Sequence, residues 1–419
     1  EEKTEQYLQD QSISNAAESF QTVRTWSKAT ETLPNANLAL ISVPGEYAAE
    51  EGEKALDNNL HVFMFSDNVD LEDEARLKQK ANEKGLLFMG PDCGTGILDG
   101  VPMAFANAVN KGRIGIVGAS GTGIQEVSAV IDRLGEGVSH AIGTGGRDLK
   151  DKIGAITMMQ GIKALESHAQ TDVIAIISKP PAKEVRDEVV ELLHSVSKPV
   201  VAIFLGEKPT KHEGDVYHAY TLAETAHIAV DLARGNEVRN DGYVGDYKFE
   251  GANLKENQKG IHGLYSGGTL ASEAAVLLSD ALGLGSEITN EDGYVFRKDG
   301  HVVVDLGDDE YTQGKPHPMI DPETRAKFIR EAAKNEETAV IVLDFVLGYG
   351  SHNDMASALL PAIEEGVAHA KSEGRELYVV ASVCGTNSDP QDYQGHIKRL
   401  KDAGIIVKDN NDETATRRC

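Results

Sequence analysis

The sequence predicts an α/β protein of three Rossmann- or flavodoxin-like units with parallel sheets. Two observations carry that class. Short apolar runs alternate with stretches of helical period, the pattern of strands buried on both faces with helices laid over them. Several of the runs end in Gly/Ser/Thr turns that open directly into a helix, as in Arg113–Val127, Gly260–Ala274 and Val340–Asp354. A length of 419 residues gives room for about three such units.

The elements follow in order. Residues 1–21 are a polar lead-in or linker. The first unit, 22–110, places a strand at Ala36–Val43, stopped by Pro44-Gly45, and a helix at Tyr47–Asn58. A strand at His61–Ser66 follows, then a helix over Glu72–Gly85 that ends at a glycine suited to the left-handed C-cap. Its last strand, Leu86–Gly90, runs into Pro91-Asp92-Cys93-Gly94. The second unit, 111–240, has strands at Ile114–Val117, Ser139–Ile142, Val173–Ser178 and Val200–Phe204. Asn236–Gln258 is Gly-rich and charged, a boundary. The third unit, 260–419, has strands near His262–Tyr265, Val302–Leu306, Ala339–Phe345, Leu377–Val383 and Ile405–Val407.

Composition narrows the function classes. A formal net charge of -26 opposes nucleic-acid binding and attraction to an anionic membrane surface. Cys93, Cys384 and Cys419 make neither a disulfide framework nor a metal set, and the histidines lack ligand spacing, so no metal is expected. No apolar run is long enough to span a bilayer and no signal peptide is visible, which suits a cytoplasmic protein. The chain starts at Glu1 without Met, as a fragment or processed form would.

The chemistry-bearing motifs lie at strand ends, where open α/β sheets bind ligands. Ser120, Gly121, Thr122 and Gly123 stand where a strand yields to a helix, so unpaired N–H groups and the helix dipole favour a phosphate or carboxylate there. Ser266, Gly267, Gly268 and Thr269 repeat the arrangement, and Gly348, Tyr349 and Gly350 form a third version. Gly145, Gly146 and Arg147 follow the Ser139–Ile142 strand. Arg147 is either the bidentate partner of such an anion or half of a surface ion pair. Lys179-Pro-Pro-Ala182 closes the next strand. Pro316–Pro322 is a proline-stiffened loop in which His317 or Asp321 can touch substrate, and Gly385–Asp389 is either a wall of the pocket or a capped turn. Cys93 and Cys384 have no neighbouring histidine and read as small buried residues.

In order, Leu86–Leu98, Gly112–Val127, Ala141–Leu149, Val173–Ser178 and Lys198–Gly206 resemble the succinyl-CoA synthetase α subunit. Gly260–Val407 resembles the carboxy-terminal domain of its β subunit, with Asp344–Asp354 at the phosphate-site turn. Their fusion without an ATP-grasp domain resembles the FdrA family. Gly90–Thr95, Gly118–Glu126, Gly145–Asp148 and Pro316–Pro322 stand especially close to it. The resemblance implies two helix N-termini facing one phosphate site, at Ser120-Gly121-Thr122 and Gly348-Tyr349-Gly350. Two departures stand out. The Gly-His-Ala-Gly phosphohistidine loop is replaced by Pro209–Tyr220, with only His212 and His218, and the first Rossmann glycine turn is missing upstream of Ala36.

From the FdrA resemblance follows a subunit of an oxamate carbamoyltransferase of anaerobic allantoin and purine degradation. It would act on carbamoyl phosphate and oxamate-like molecules, with two further protein subunits and no cofactor. The alternatives are an ADP-forming acyl-CoA synthetase-like ligase subunit using His212 or His218, and a non-catalytic CoA- or nucleotide-sensing scaffold. No general base is assigned from sequence.

Overall fold

The computed structural model describes residues 22–179, 181–208, 216–238, 254–285 and 291–415. His212 and Cys419 lie outside them. The first unit holds α1 (Trp26–Thr32), β1 (Leu38–Ile41), α2 (Gly45–Asp57), β2 (His61–Met64), α3 (Leu71–Glu83) and β3 (Phe88–Met89). Its three strands are parallel, with β2 in the middle.

The second sheet has seven strands. They are β4 (Thr95–Leu98), β5 (Val101–Ala104), β6 (Lys111–Gly118), β7 (Val138–Gly143), β8 (Val173–Ser178), β9 (Val200–Phe204) and β10 (Val216–Ala219), in the spatial order β10-β9-β8-β6-β7-β4-β5. The strands from β6 to β10 pair in parallel, and β4 is antiparallel to both β5 and β7. Helices α4 (Gly121–Arg133), α5 (Ile156–Ser167), α6 (Lys183–Ser195) and α7 (Leu222–Arg234) cover it. Both β8 and β9 are buried along their whole length, which their unbroken apolar sequences require of strands shielded on both faces.

The third sheet has six strands, β11 (Gly260–Tyr265), β12 (Tyr294–Lys298), β13 (His301–Asp305), β14 (Thr338–Val346), β15 (Tyr378–Cys384) and β16 (Ile406–Lys408). Their order is β12-β13-β11-β14-β15-β16, and only the β12–β13 pairing is antiparallel. With it go α8 (Gly268–Leu282), α9 (Asp309–Thr312), α10 (Glu323–Lys334), α11 (Met355–Ser372), α12 (Tyr393–Asp402) and α13 (Asn411–Ala415). The class is α/β with predominantly parallel sheets.

Two antiparallel hairpins are absent from the sequence reading. Leu98 pairs with Val101 across Asp99-Gly100, and Lys298 with His301 across Asp299-Gly300. Asp99 (φ 52), Gly100 (φ 83), Asp299 (φ 50) and Gly300 (φ 83) all adopt positive φ, as a type I′ turn demands. The first hairpin falls in the range 22–110 assigned to the first unit, yet through Ile97↔Ala141 it extends the second sheet.

Polar clamps join the units. Between the first and second, the fully buried Lys78 meets Glu74 at 3.1 Å and Asp148 at 2.7 Å, and donates to the Thr144 carbonyl at 2.8 Å. Asp148 also accepts from the N–H groups of Thr157 and Met158 at the start of α5. Between the second and third, Asp389 accepts from Asn107 Nδ2 and the Ala108 N–H at 2.8 and 2.7 Å. The Gly385–Asp389 segment is therefore an inter-unit clamp. A shared apolar core, with Ile131 and Val230 on one side and Leu270 and Ala274 on the other, lies alongside.

That interface also buries carboxyl groups. Glu273 on α8 accepts from the Leu222 N–H at 2.6 Å and from Asn411 Nδ2 at 2.7 Å, while Asp412 accepts from Thr221 Oγ1 at 3.0 Å. Glu126 on α4 accepts from the Asn411 N–H at 3.2 Å. Burial, reinforced by Asp412 and Glu126, pushes Glu273 up to about 8. Burial likewise carries Asp412 to about 7.

Two outcomes are expected. Replacing Lys78 with Ala removes the buried cation shared by Glu74 and Asp148, leaving them Arg147 and the α5 N–H groups, and should cost about 3 kcal/mol, read as a lower urea midpoint. Glu273 binds its proton more tightly folded than unfolded. Its stabilisation is thus complete below pH 4.5 and is lost as pH rises towards about 8. Thermal melts from pH 5 to 8 should show falling stability, and Glu273→Gln should flatten that slope.

Candidate phosphate and acyl-transfer cleft

The site grows from two strand-to-helix turns. Strand β6 ends at Gly118, and Ser120, in extended conformation (φ -159), caps α4 by accepting the Gly123 N–H on its Oγ at 2.9 Å. Strand β11 ends at Tyr265, and extended Gly267 (φ -157) precedes α8. The two helix N-termini meet: Ser120 Oγ lies 2.5 Å from Thr269 Oγ1. A Cβ on Gly267 would fall 2.5 Å from Thr122 Cγ2, so this approach requires glycine. The N–H groups of Gly121, Thr122, Gly268 and Thr269 have no hydrogen-bond acceptor among the described residues.

These N-termini form one wall of a cleft of about 610 Å³ between the three units. Lys179, at the end of β8, enters from the second unit, and Gly145 and Gly146 border it. Asp67 comes from the first unit, Asp92 and Cys93 follow β3, and Asp305, Asp308, Asp309, Lys315 and His317 come from the third. Protein around the cleft pushes both Asp92 and Asp305 up to about 6, although Lys179 opposes each shift. Burial raises the Cys93 thiol to about 12, so it is no nucleophile at neutral pH. Burial, aided by Arg325, lowers His317 to about 4. Among the described residues, no group of three or more His, Cys, Asp or Glu is arranged to hold a metal ion.

The structure redistributes the residues singled out in the sequence. Ser120, Gly121 and Thr122 line the cleft, while Gly123 is buried one turn in, satisfying Ser120. Gly267, Gly268 and Thr269 line it opposite, and Ser266 turns away: its N–H and Oγ both donate to Asp344, at 2.9 and 2.6 Å. Buried Arg325 holds the far side of that carboxylate at 2.9 Å. Asp344 thus braces the α8 turn from behind.

Gly348, Tyr349 and Gly350 do not line this cleft. The Gly348 N–H donates to Gln391 Oε1 at 2.9 Å, the Tyr349 N–H donates to the Ala106 carbonyl at 2.8 Å, and Gly350 packs on Phe105. No helix starts there; α11 begins at Met355 behind its cap, Asp354. The turn that faces Ser120–Thr122 is Gly267–Thr269. Arg147 does not line the cleft, although its charge reaches Asp92 and Asp309 there. It pairs with buried Glu74 at 2.8 Å and donates to the Val69 carbonyl at 2.8 Å, tying the first unit to the second. His218 lies on the edge strand β10, away from the cleft. Lys179, Asp92 and Asp305 were missed as ligands because three distant strand ends bring them together. Their common sequence signal was a position just beyond a strand.

Residues 109–206 match the family of CoA binding domains, and residues 264–418 the CoA-ligase family. The "Uncharacterized protein YahF" of Escherichia coli (strain K12) is 45% identical over 403 residues, covering 93% of this chain and 78% of its own. The chain belongs to the YahF family. This YahF-family chain is also 26% identical over 204 residues to succinate–CoA ligase [ADP-forming] subunit alpha 1 of Archaeoglobus fulgidus, across 46% of the chain and 68% of that subunit. To malate–CoA ligase subunit alpha of Methylorubrum extorquens it is 25% identical over 224 residues, 50% and 73% of the two chains. A dinucleotide-forming acetyl-coenzyme A synthetase of Ca. Korarchaeum cryptofilum aligns with 96% of the chain and 86% of its own, at 13% identity and a TM-score of 0.42.

The two cations now separate by role. Lys179→Gln should weaken binding of inorganic phosphate to the YahF-family chain ten- to a hundredfold, the effect of losing a charged donor worth roughly 1.5–3 kcal/mol. Arg147→Gln, which removes a charge outside the cleft lining, should weaken phosphate binding less than Lys179→Gln and lower stability by uncovering Glu74. Calorimetry and chemical denaturation on both variants check the pair.

Proposed function

We propose that the chain is the phosphate-handling subunit of a carbamoyltransferase of the oxamate type, built on a CoA-ligase-like scaffold. One arrangement carries the reading. Four free N–H groups at two facing helix N-termini, with Lys179 near, stand at one end of the cleft. Asp305 stands beside Gly268 and Lys179 at that same end, and Asp67, Asp92, Asp308 and Asp309 line the rest of the cleft. A ligand suited to both is anionic at one end and rich in N–H donors at the other. Carbamoyl phosphate with an oxamate-like acceptor has that polarity, and FdrA-family proteins, which the motifs resemble, act on it.

The transfer is written in terms of these groups. The acceptor amide nitrogen attacks the carbamoyl carbon, a C–N bond forms, and the C–O bond to phosphate breaks with its electron pair leaving on phosphate. The nitrogen's proton passes to Asp92 or Asp305. A carboxylate at about 6 is largely ionised at neutral pH and more basic than an ordinary one, so it suits a general base. The helix N-termini and Lys179 stabilise the departing phosphate. In reverse, phosphate attacks the carbamoyl group and carbamoyl phosphate forms.

The CoA-ligase and CoA-binding family matches favour a second reading, an acyl-CoA synthetase-like ligase subunit. Succinate–CoA and malate–CoA ligases are named for small carboxylates, which the same N–H groups would hold. Of the histidines described, only His317 lines the cleft, and its Nδ1 accepts the Met319 N–H.

The deciding experiment assembles the chain with its two proposed partner subunits and assays carbamoyl transfer to oxamate, beside incubation with labelled nucleotide and CoA. The expected result is carbamoyl turnover in the complex, little by the chain alone, and no acid-labile phosphohistidine. Phosphohistidine with micromolar CoA binding would replace this reading with the ligase one. Within the active complex, Gly267→Ala should pry the N-termini apart and weaken carbamoyl phosphate binding at least tenfold, with circular dichroism unchanged.

A further inference from the structure

His317 stands out among the cleft residues because its ring is held by a hydrogen bond at Nδ1 and by the Phe105 ring. Its Nδ1 accepts the Met319 N–H at 3.2 Å. Its carbonyl accepts from Ile320 and Asp321 at 2.8 and 3.0 Å, closing the loop into a tight turn. The Met319 carbonyl in turn accepts the His352 N–H at 2.8 Å, anchoring the turn to the segment before α11. Phe105 covers the ring, centroid to centroid 5.5 Å. The opposite nitrogen, Nε2, overhangs Gly307 in the cleft. A Cβ on that glycine would lie 2.8 Å from Nε2, 2.7 Å from the Ser266 carbonyl and 3.1 Å from Asp305 Oδ1. Glycine at 307 is what allows the imidazole to come so near the base of the α8 turn.

A backbone N–H directed at Nδ1 leaves that nitrogen without a proton, so the neutral ring carries its proton on Nε2. We propose that His317 is a fixed hydrogen-bond donor, presenting Nε2–H to the carbonyl oxygen of the group being transferred. The role rests on the group-transfer reading above; the tautomer does not. A protonated Nε2 has no lone pair for a phosphoryl group and none with which to take a proton, so the residue serves as neither phosphocarrier nor base. A donor held in place before the oxyanion develops needs no reorganisation when charge arrives. The low basicity of the ring, pushed to about 4 by burial and by Arg325, fits a group that stays neutral throughout the working pH range. The other charged groups near it are Asp305 and Arg325, and Arg325 is occupied by Asp344.

Two measurements test the proposal separately. Long-range proton–nitrogen NMR of the full chain, labelled at histidine, reads the tautomer, with the His317 signals assigned by their loss in His317→Gln. An Nε2-protonated ring that does not titrate between pH 5 and 8 is expected. A proton on Nδ1, or titration above pH 6, would overturn the proposal. In the assembled complex, His317→Leu should lower kcat about a hundred- to a thousandfold with KM nearly unchanged, the scale of losing one oxyanion donor. His317→Gln, whose amide N–H reaches a similar place, should recover much of the loss. Gly307→Ala should mimic the Leu variant, because its methyl group displaces the intact imidazole. Wild-type kcat in His317→Leu would refute the role even with the tautomer confirmed. A wild-type complex without carbamoyl turnover refutes the functional reading and the role together, while the NMR result still decides the tautomer.

Discussion

Two helix N-termini that meet side by side set the terms for the rest of this molecule. Each carries about half a positive charge, so bringing the starts of α4 and α8 together is unfavourable until something negative or polar lies beside them. The bare protein manages with short-range devices. Ser120 and Thr269 share a hydrogen bond, and the Asp305 carboxylate stands beside Gly268. Behind α8, the Arg325–Asp344–Ser266 chain keeps the turn from backing away. The apolar contact of α4 with α8 and the Asp389 clamp hold the second and third units at the required distance. The N–H groups at the two turns still have no acceptor among the described residues.

The surrounding side chains divide by what burial does to them. Burial pushes carboxyls up and imidazole down, always toward the neutral form. Asp92 and Asp305 move close to neutrality without losing their charge at pH 7, and His317 is kept uncharged. Lys179 therefore faces two largely ionised carboxylates, with which an anion entering the cleft has to compete. Two deeper carboxyls at the α4–α8–α13 junction, Glu273 and Asp412, are pushed further up, to about 8 and about 7, and hydrogen-bond across the units.

Much of the frame was legible in the sequence. The fully buried strands β8 and β9 coincide with their sequence assignments, because an apolar run between turn residues has few alternatives. The Asp-Gly hairpins were equally legible in principle, but Pro102 and the nearby glycines masked the alternation beside Asp99-Gly100. The site was harder. Gly267–Thr269 and Gly348–Gly350 look alike over a few residues, and choosing between them depended on where a helix begins. Asp354, four residues beyond Gly350, caps α11 and takes that role away from the glycine turn. Arg147 showed the same limit. An arginine after two glycines suits an anion, and only the position of Glu74 on another unit reveals its actual partner.

The acidic rim has a kinetic side. With a net charge of -26, and with Asp67 and Asp309 exposed at the entrance, an incoming anion climbs a repulsive slope before it reaches the dipoles at the bottom. At physiological ionic strength that repulsion is screened over about 8 Å, whereas the enclosed N–H groups are screened far less. Dissolved salt thus flattens the hill and spares the well. For an anionic ligand of such a cleft, association would speed up as ionic strength rises, the reverse of a receptor that draws its ligand in by opposite charge.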